Sequence, residues 1–136
     1  GLVDYGNTDP PFRLAVARFN GLNNHGLLVG TTYILLSPYH AALAREGQRG
    51  VVDISPPGRN SVGMALAVND AGTIVGFQNG ESGGPQAAIF HGDGTFDVLG
   101  TLGLEESWAA DVNESGVIVG RAFGIVEAKL VEKAFV

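Results

Sequence analysis

Three histidines are the side chains of this chain best suited to acid–base catalysis or metal binding. His25 and His40 stand at positions where related segments of the chain carry other residue types, which gives each of them a structural explanation. His91 and Asp93 form the sequence His-Gly-Asp-Gly, which could be one corner of a metal site but is also an ordinary hairpin loop. The chain has no cysteine, so thiolate ligands are excluded. We therefore predict no metal and no cofactor.

Two arrangements of carboxylates could carry general acid–base chemistry. Asp4, Asp53 and Asp97 recur at equivalent positions and could line a channel, but an aspartate at a strand end more often accepts hydrogen bonds from the following turn. Glu105 and Glu106 are adjacent, and neighbours in a strand point to opposite faces. The chain has no nucleophile elbow, phosphate-binding glycine loop, dinucleotide fingerprint or EF-hand loop. We predict a protein without enzymatic activity or catalytic residues.

The elements that position these side chains come from a repeated segment. It reads LNNHGLLVG at residues 22–30, VNDAGTIVG at residues 68–76 and VNESGVIVG at residues 112–120. A spacing of about 45 residues is typical of stacked supersecondary units. Because 136 residues is the size of one domain, we predict a single domain, residues 1–136. Its three units are expected at about residues 1–48, 49–93 and 94–136.

Each unit is predicted to contain four short β-strands, because β-branched, aromatic and small residues alternate and no helical period is sustained. The strands are expected at residues 1–6, 17–22, 27–29 and 40–43, at residues 50–55, 63–68, 73–75 and 86–89, and at residues 94–100, 107–112, 117–119 and 133–136. The second strand is rich in alanine and glycine, as is needed where sheets crowd one another.

An asparagine opens and a glycine closes the turn between the second and third strands. Asn23, Asn69 and Asn113 can each cap their own turn, and the glycine adopts the left-handed conformation without steric cost. The third strand follows as an apolar triplet that is predicted to end on a glycine. Such a triplet is typical of a strand that is buried on both faces.

We predict an all-β fold with three four-stranded antiparallel sheets arranged as propeller-type blades. Propellers usually have about four to eight blades. The units could therefore join another copy to make six, belong to a longer ring, or close alone as a three-sheet β-prism or β-trefoil-like domain. In the cyclic order of the repeat, the strand at residues 1–6 follows the fourth-strand motif, and that motif stands at residues 133–136. These two terminal strands are therefore expected at or near a closure seam.

Composition narrows the class of partner. Only 16% of the residues are charged, and 21 are glycines, which fits closely packed strands or a surface that a partner covers in part. A net charge of -6 with eight Lys and Arg argues against nucleic acid. No run of about 18 apolar residues is present, so no membrane span is expected. Because uncovered sheet edges invite pairing, we expect a homo-oligomer, most simply a dimer.

Several segments resemble the HAF-type extracellular repeat of bacterial surface and secreted proteins. The resemblance covers nearly the whole chain and is strongest in DVLGTLG at residues 97–103, in residues 107–120 and in KAF at residues 133–135. The first two units depart from it, because prolines at residues 10–11 and 56–57 replace LGTLG. The resemblance implies four-stranded propeller blades, an extracellular or cell-surface location and no established enzyme activity.

Strand parity predicts the face that binds a partner. The loops after the first and third strands emerge at one end of the sheets, and the asparagine turns emerge at the other. Recognition residues usually lie in variable loops on a rigid scaffold. These loops include residues 31–39, 78–85 and 121–132. The expected contacts are Tyr33, Tyr39, Arg59, Glu105 and Trp108.

Two functions fit this prediction. The first is a non-enzymatic extracellular β-repeat module for adhesion, scaffolding or subunit assembly, with a surface protein or another copy as its partner. The alternative is a carbohydrate-binding, lectin-like domain that holds a glycan at the variable loops. Trp108 separates the two, because it is either a filler between sheets or a platform on which a sugar ring stacks.

Overall fold

The computed structural model describes residues 16–33, 39–58, 61–80 and 83–136 as three antiparallel sheets. The first sheet contains β1 (Val16–Leu22), β2 (Leu27–Tyr33), β3 (His40–Arg45) and β4 (Val52–Asp53). The second contains β5 (Gly63–Val68), β6 (Ile74–Asn79), β7 (Pro85–Phe90) and β8 (Phe96–Gly100). The third contains β9 (Glu106–Val112), β10 (Ile118–Val126) and β11 (Lys129–Phe135).

The all-β prediction is confirmed, with sheets of four, four and three strands rather than three sheets of four. None of the described residues forms a helix, and hence none belongs to a helix long and apolar enough to cross a membrane. In each sheet the strands are hydrogen-bonded in chain order. Short turns between consecutive strands produce this order, because they allow only neighbouring antiparallel partners.

Each of the first two sheets takes its last strand from the start of the following repeat. β4 pairs with β3, and β8 pairs with β7. The sheets therefore span residues 16–53, 63–100 and 106–135, one strand out of phase with the sequence units. The predicted strand at residues 1–6, and with it the predicted closure seam, lies outside the described residues.

Two details of the strand prediction are wrong. The third strand of each unit does not end on its glycine, because β2, β6 and β10 continue beyond Gly30, Gly76 and Gly120. Residues 121–132 are not a variable loop but a hairpin of β10 and β11. The two residues of its turn, Glu127 and Ala128, have φ angles of 50° and 60°, as a tight hairpin turn requires.

A β-bulge explains the glycine that follows each apolar triplet. The first strand of every sheet has one extra residue opposite its neighbour, at Asn20 in β1 and at the equivalent positions of β5 and β9. The bulge pushes a backbone carbonyl over the facing glycine. A Cβ atom on Gly76 would overlap the carbonyl oxygen of Met64, and Gly30 and Gly120 are in the same situation. Only glycine fits at this position, because any side chain would overlap the carbonyl of the bulged strand; the glycine is not required by a turn.

The sheets pack in sequence, and the bulged strands β5 and β9 each lie against the sheet before their own. The thin, alanine-rich strand predicted from the sequence fills this role, since Ala65 of β5 and Ala109 of β9 are completely buried. The core between the first and second sheets comprises Leu27, Val29, Ala41, Ile54, Ala65, Ile74, Ala88 and Phe90. The core between the second and third sheets comprises Ala67, Val75, Ala87, Ala109 and Val112.

A buried serine hydroxyl satisfies one backbone amide at each junction between sheets. Ser107 accepts a hydrogen bond from the Ala87 amide at 2.9 Å. At the other junction Ser55 accepts one from the Ala41 amide at 2.8 Å. The second sheet has Gly63 at the position of Ser107, and a Cβ atom there would lie 2.9 Å from the Ser55 hydroxyl. The same hydrogen bond is thus made by serines from two different segments.

We expect Gly76→Ala to destabilise the fold by about 1–3 kcal/mol, because the added methyl group overlaps the Met64 carbonyl. Gly84→Ala is the matched control, since its Cβ atom would meet its nearest neighbour at an ordinary 3.5 Å. That variant should stay within about 0.5 kcal/mol of wild type. Urea denaturation followed by far-UV circular dichroism measures both. Equal stability of the two variants would contradict the bulge explanation.

Candidate functional site

Tyr33 and Tyr39 form an exposed aromatic pair beside the β2–β3 connection. Their ring centroids are 5.9 Å apart in an edge-to-face arrangement. The Tyr39 carbonyl accepts a hydrogen bond from the Gly63 amide at 3.0 Å, which fixes this segment to the start of the second sheet. Arg59, which was predicted to act with them, lies outside the described residues. The structure thus brings two of the predicted contacts together.

Trp108 of β9 lies opposite Arg121 of β10, on the same face of the third sheet, and contacts the second sheet from this edge strand. Its indole stacks on Phe77 with centroids 5.3 Å apart and meets the edge of Phe123 at 5.9 Å. The Arg121 guanidinium lies 4.7 Å from the indole centroid, in cation–π contact. The indole N–H is buried and has no hydrogen-bond partner among the described residues. Trp108 therefore acts here as a filler between sheets, and a sugar ring would have to displace Arg121 to stack on it.

Glu105 lies in the connection that leads into β9, in a different sheet from the tyrosine pair. A Cβ atom on Gly124 would lie 2.8 Å from the Glu105 amide nitrogen, and one on Gly84 would lie 3.6 Å from its carbonyl oxygen. This places Glu105 beside both the β6–β7 connection and β10. Its side chain is exposed. It is thus available to a partner at this end of the molecule.

Two of the three candidate histidines, His40 and His91, are paired with carboxylates within hairpins, whereas His25 is exposed in its turn. His40 Nδ1 lies 2.6 Å from the Asp53 carboxylate, and His91 Nε2 lies 3.0 Å from that of Asp97. Asp53 also accepts a hydrogen bond from the Ser55 amide, which confirms the prediction for this aspartate. Asp97 has no such bond to a described residue, and the first aspartate of the series lies outside the described residues.

The predicted metal corner is an ordinary turn in this structure. Asp93 accepts hydrogen bonds from the amide and hydroxyl of Thr95, at 2.9 and 2.6 Å. The bonds from the Thr95 hydroxyl and then its amide lower the pKa of Asp93. Across the described ranges, no three His, Asp or Glu side chains gather in a way that could hold a metal ion.

Each repeated asparagine first fixes its own turn. The Asn69 side-chain oxygen accepts a hydrogen bond from the Thr73 amide at 2.8 Å, four residues further on. Asn23 and Asn113 bind the amides of Leu27 and Val117 in the same way, at 2.9 and 2.8 Å. This confirms that the asparagines cap their turns. The side-chain nitrogen remains to make a further hydrogen bond.

That nitrogen joins one repeat to the next. Asn23 Nδ2 donates to the Asn69 carbonyl, and Asn69 Nδ2 donates to the Asn113 carbonyl, both at 3.0 Å. The partners are 46 and 44 residues apart in the chain. We call this series of hydrogen bonds the asparagine ladder. Because every bond runs from one repeat to the following one, the ladder has a direction.

A second row of hydrogen bonds runs beside the asparagine ladder. The Asn24 amide and side-chain nitrogen donate to the Asp70 carboxylate at 2.8 and 2.7 Å. The Asp70 amide in turn donates to the Glu114 carboxylate at 2.9 Å. Hydrogen bonds from the Asn24 side chain and then its amide lower the pKa of Asp70. Both rows therefore have the same direction.

The two ends of the ladder have opposite hydrogen-bonding character. At the third repeat, Asn113 Nδ2 and the Glu114 amide are donors without an acceptor among the described residues. At the first repeat, the Asn23 carbonyl accepts only the Gly26 amide from the described part of the chain. The equivalent carbonyls of Asn69 and Asn113 accept two hydrogen bonds each.

The outer face of the third sheet is the face opposite Ala122 and Ser107, which face the second sheet. It carries Val119, Arg121, Phe123 and Ile125 of β10 and Leu130 and Glu132 of β11. Val119 is 40% exposed, whereas the equivalent Val29 and Val75 are fully buried by the sheet that follows them. The buried-triplet prediction therefore holds for Ile74 and Val75 in the second sheet and in part for the first, where Leu28 is half-buried. It is wrong for the third sheet, whose outer face has no described sheet against it.

Sequence reasoning missed both the ladder and the outer face. The asparagine turns were predicted only to emerge at the end opposite the binding face, although their three acidic or amide neighbours at residues 24, 70 and 114 were a readable signal of contact between turns. No family model, curated protein or solved structure matches this chain. The resemblance to the HAF-type repeat gains no support from these comparisons and stays a prediction.

We expect Asn69→Ala to destabilise the protein by at least about 2 kcal/mol, because it leaves the Thr73 amide without its partner and removes a rung of the ladder. Asn113→Ala is the control, since it removes the equivalent turn bond from Val117 and two exposed bonds from Ser115, but no rung donor. It should cost roughly half as much. Thermal and urea denaturation measure the difference. If Asn113→Ala costs as much as Asn69→Ala, the ladder adds nothing to stability.

Proposed function

We propose that this protein is a non-enzymatic β-repeat module that serves adhesion, scaffolding or subunit assembly outside the cell or at its surface. The observation that carries the proposal is the uneven distribution of exposed apolar side chains. Of the thirteen exposed large hydrophobic residues among those described, nine lie between positions 98 and 136. Concentrated apolar surface of this kind is typical of contact sites between proteins.

An apolar groove extends this surface toward the second sheet. The groove has a volume of about 360 Å³. Leu99 and Leu102 line one side of it, and Val117, Phe135 and Val136 line the other. On the outer face itself, Ile125 and Leu130 are 63% and 77% exposed. Covering these side chains would remove a large apolar area from water, which favours association.

The ionisable side chains support a non-catalytic role. His40 pairs with Asp53 in the first sheet, and His91 pairs with Asp97 in the second. A catalytic set needs groups that converge on one cleft. These pairs instead lie within the β3–β4 and β7–β8 hairpins of separate sheets, which they stabilise.

We take the three sheets to be blades of a propeller-type assembly that a second copy completes to six, with a three-sheet β-prism or β-trefoil-like closure as the alternative. The meander order of the strands supports blades. So does the packing of β5 and β9 against the preceding sheets, because the bulged strand then lies nearest the neighbouring blade.

A carbohydrate-binding function is the second candidate, and the tyrosine pair favours it. Tyr33 and Tyr39 present adjacent exposed rings with two hydroxyl groups. Aromatic faces of this kind can stack on a sugar ring while the hydroxyls bind its polar edge. Trp108 contributes less to this candidate than the sequence predicted, because Arg121 covers its indole.

Self-association separates the two functions. We expect sedimentation equilibrium at tens of micromolar to give a mass above that of one chain, and the double variant Ile125→Thr, Leu130→Thr to weaken association at least about tenfold. Both side chains are exposed, so the variant should keep the wild-type circular dichroism spectrum.

The control is the double variant Tyr33→Ala, Tyr39→Ala, which should associate like wild type. A panel of oligosaccharides titrated into wild type should leave tryptophan fluorescence and melting temperature unchanged. The assembly function would be overturned in favour of the carbohydrate-binding one if the wild type is monomeric and binds one of these sugars, and if the double tyrosine variant does not bind that sugar.

A further inference from the structure

We propose that the partner is a second copy of this chain and that the copies join head to tail, with the first sheet of one on the outer face of the third sheet of the other. This inference rests on the proposed assembly function and adds which faces of the two copies meet and the direction of the contact. It treats the new junction as a repetition of the two junctions already present inside the chain.

The apolar side chains at the two ends are the two halves of such a junction. Val68 and Val112, at the end of β5 and β9, pack into the cores that lie against the preceding sheets. Leu22, at the same position of β1, is 65% exposed. On the third sheet, Val119 occupies the position of Val29 and Val75, which lie in these two cores, and it is exposed. Docking would cover Leu22 and Val119 together.

The hydrogen bonds give the same pairing and also fix its direction. Asn113 Nδ2 is a rung donor without an acceptor, and the Asn23 carbonyl lacks the second donor that its counterparts receive, in both cases among the described residues. Joining them continues the asparagine ladder. The Glu114 amide would then face Asn24, whose side-chain oxygen can accept it. A symmetric contact of two third sheets would instead place donors against donors.

Charge makes one carboxylate essential to the contact. Trp108 of the third sheet stacks on Phe77 inside the chain, and at the new junction their counterparts are Arg18 and Arg121. Two arginines would repel each other. Glu132 lies 3.5 Å from Arg121 and can bind both guanidinium groups. We expect Glu132→Gln to weaken association at least about tenfold. Association of the wild type should weaken as salt is raised, because salt screens the attraction between Glu132 and the two arginines.

Disulfide trapping tests the direction directly, because the chain has no cysteine of its own. Inside the chain Asn24 is hydrogen-bonded to Asp70, and Asp70 to Glu114, so these positions of neighbouring repeats are adjacent. Single variants Asn24→Cys and Glu114→Cys, carrying tags of different size, are mixed and oxidised. We expect the mixed disulfide to form at least about tenfold faster than either homodimeric one. The double variant Asn24→Cys, Asp70→Cys is the control and should form its disulfide within one chain.

The remaining outcomes are distinct. Homodimeric disulfides of Glu114→Cys, with association intact, would overturn the head-to-tail contact and leave the assembly function standing. A monomeric wild type would overturn the second copy as partner. If the circular dichroism spectrum of either cysteine variant differs from that of the wild type, the variants His25→Cys and Ser115→Cys replace them and are joined with a short bis-maleimide linker. Both positions are exposed turn residues. The linker should again join only unlike variants.

Discussion

The structure depends on one hydrogen bond that is made twice, from the side-chain amide of an asparagine turn to the carbonyl of the next such turn. Asn23 and Asn69 use their oxygen to shape their own turn and their nitrogen to hold the following repeat at 3.0 Å. No other short side chain has both a donor and an acceptor in this geometry. The position of each sheet relative to the next follows from this bond, because it fixes the turns at one end of the stack.

The second constraint is the bulge, and it acts together with the ladder. The extra residue kinks the first strand of each sheet and increases its twist. The kinked strand can then lie across the preceding sheet, where Ala65 and Ala109 are small enough for close contact. The glycine opposite the bulge makes the kink possible. A stack built in this way has unlike ends, with Leu22 exposed at one and Val119 at the other.

The features that could be predicted from the sequence are those that local patterns determine, namely the strands and their hairpins. Alternation and the asparagine turns gave the strands and their hairpins, because both depend on residues a few positions apart. The ladder joins residues about 45 positions apart, and its trace in the sequence is the acidic or amide residue that follows each repeated asparagine, at positions 24, 70 and 114. The hairpin at Glu127 and Ala128 was missed because it lacks the Asn-Gly signal of a tight turn. Val119 reads like its buried counterparts Val29 and Val75, so a sequence alone cannot tell the end of a stack from its middle.

Scalar coupling across the asparagine ladder tests most directly whether these hydrogen bonds form in solution. A long-range HNCO spectrum detects a hydrogen bond through the coupling between the donor nitrogen and the acceptor carbonyl carbon. We expect correlations from Asn23 Nδ2 to the Asn69 carbonyl and from Asn69 Nδ2 to the Asn113 carbonyl. Absence of both, in a spectrum that shows the backbone couplings between β5 and β6, would contradict the asparagine ladder.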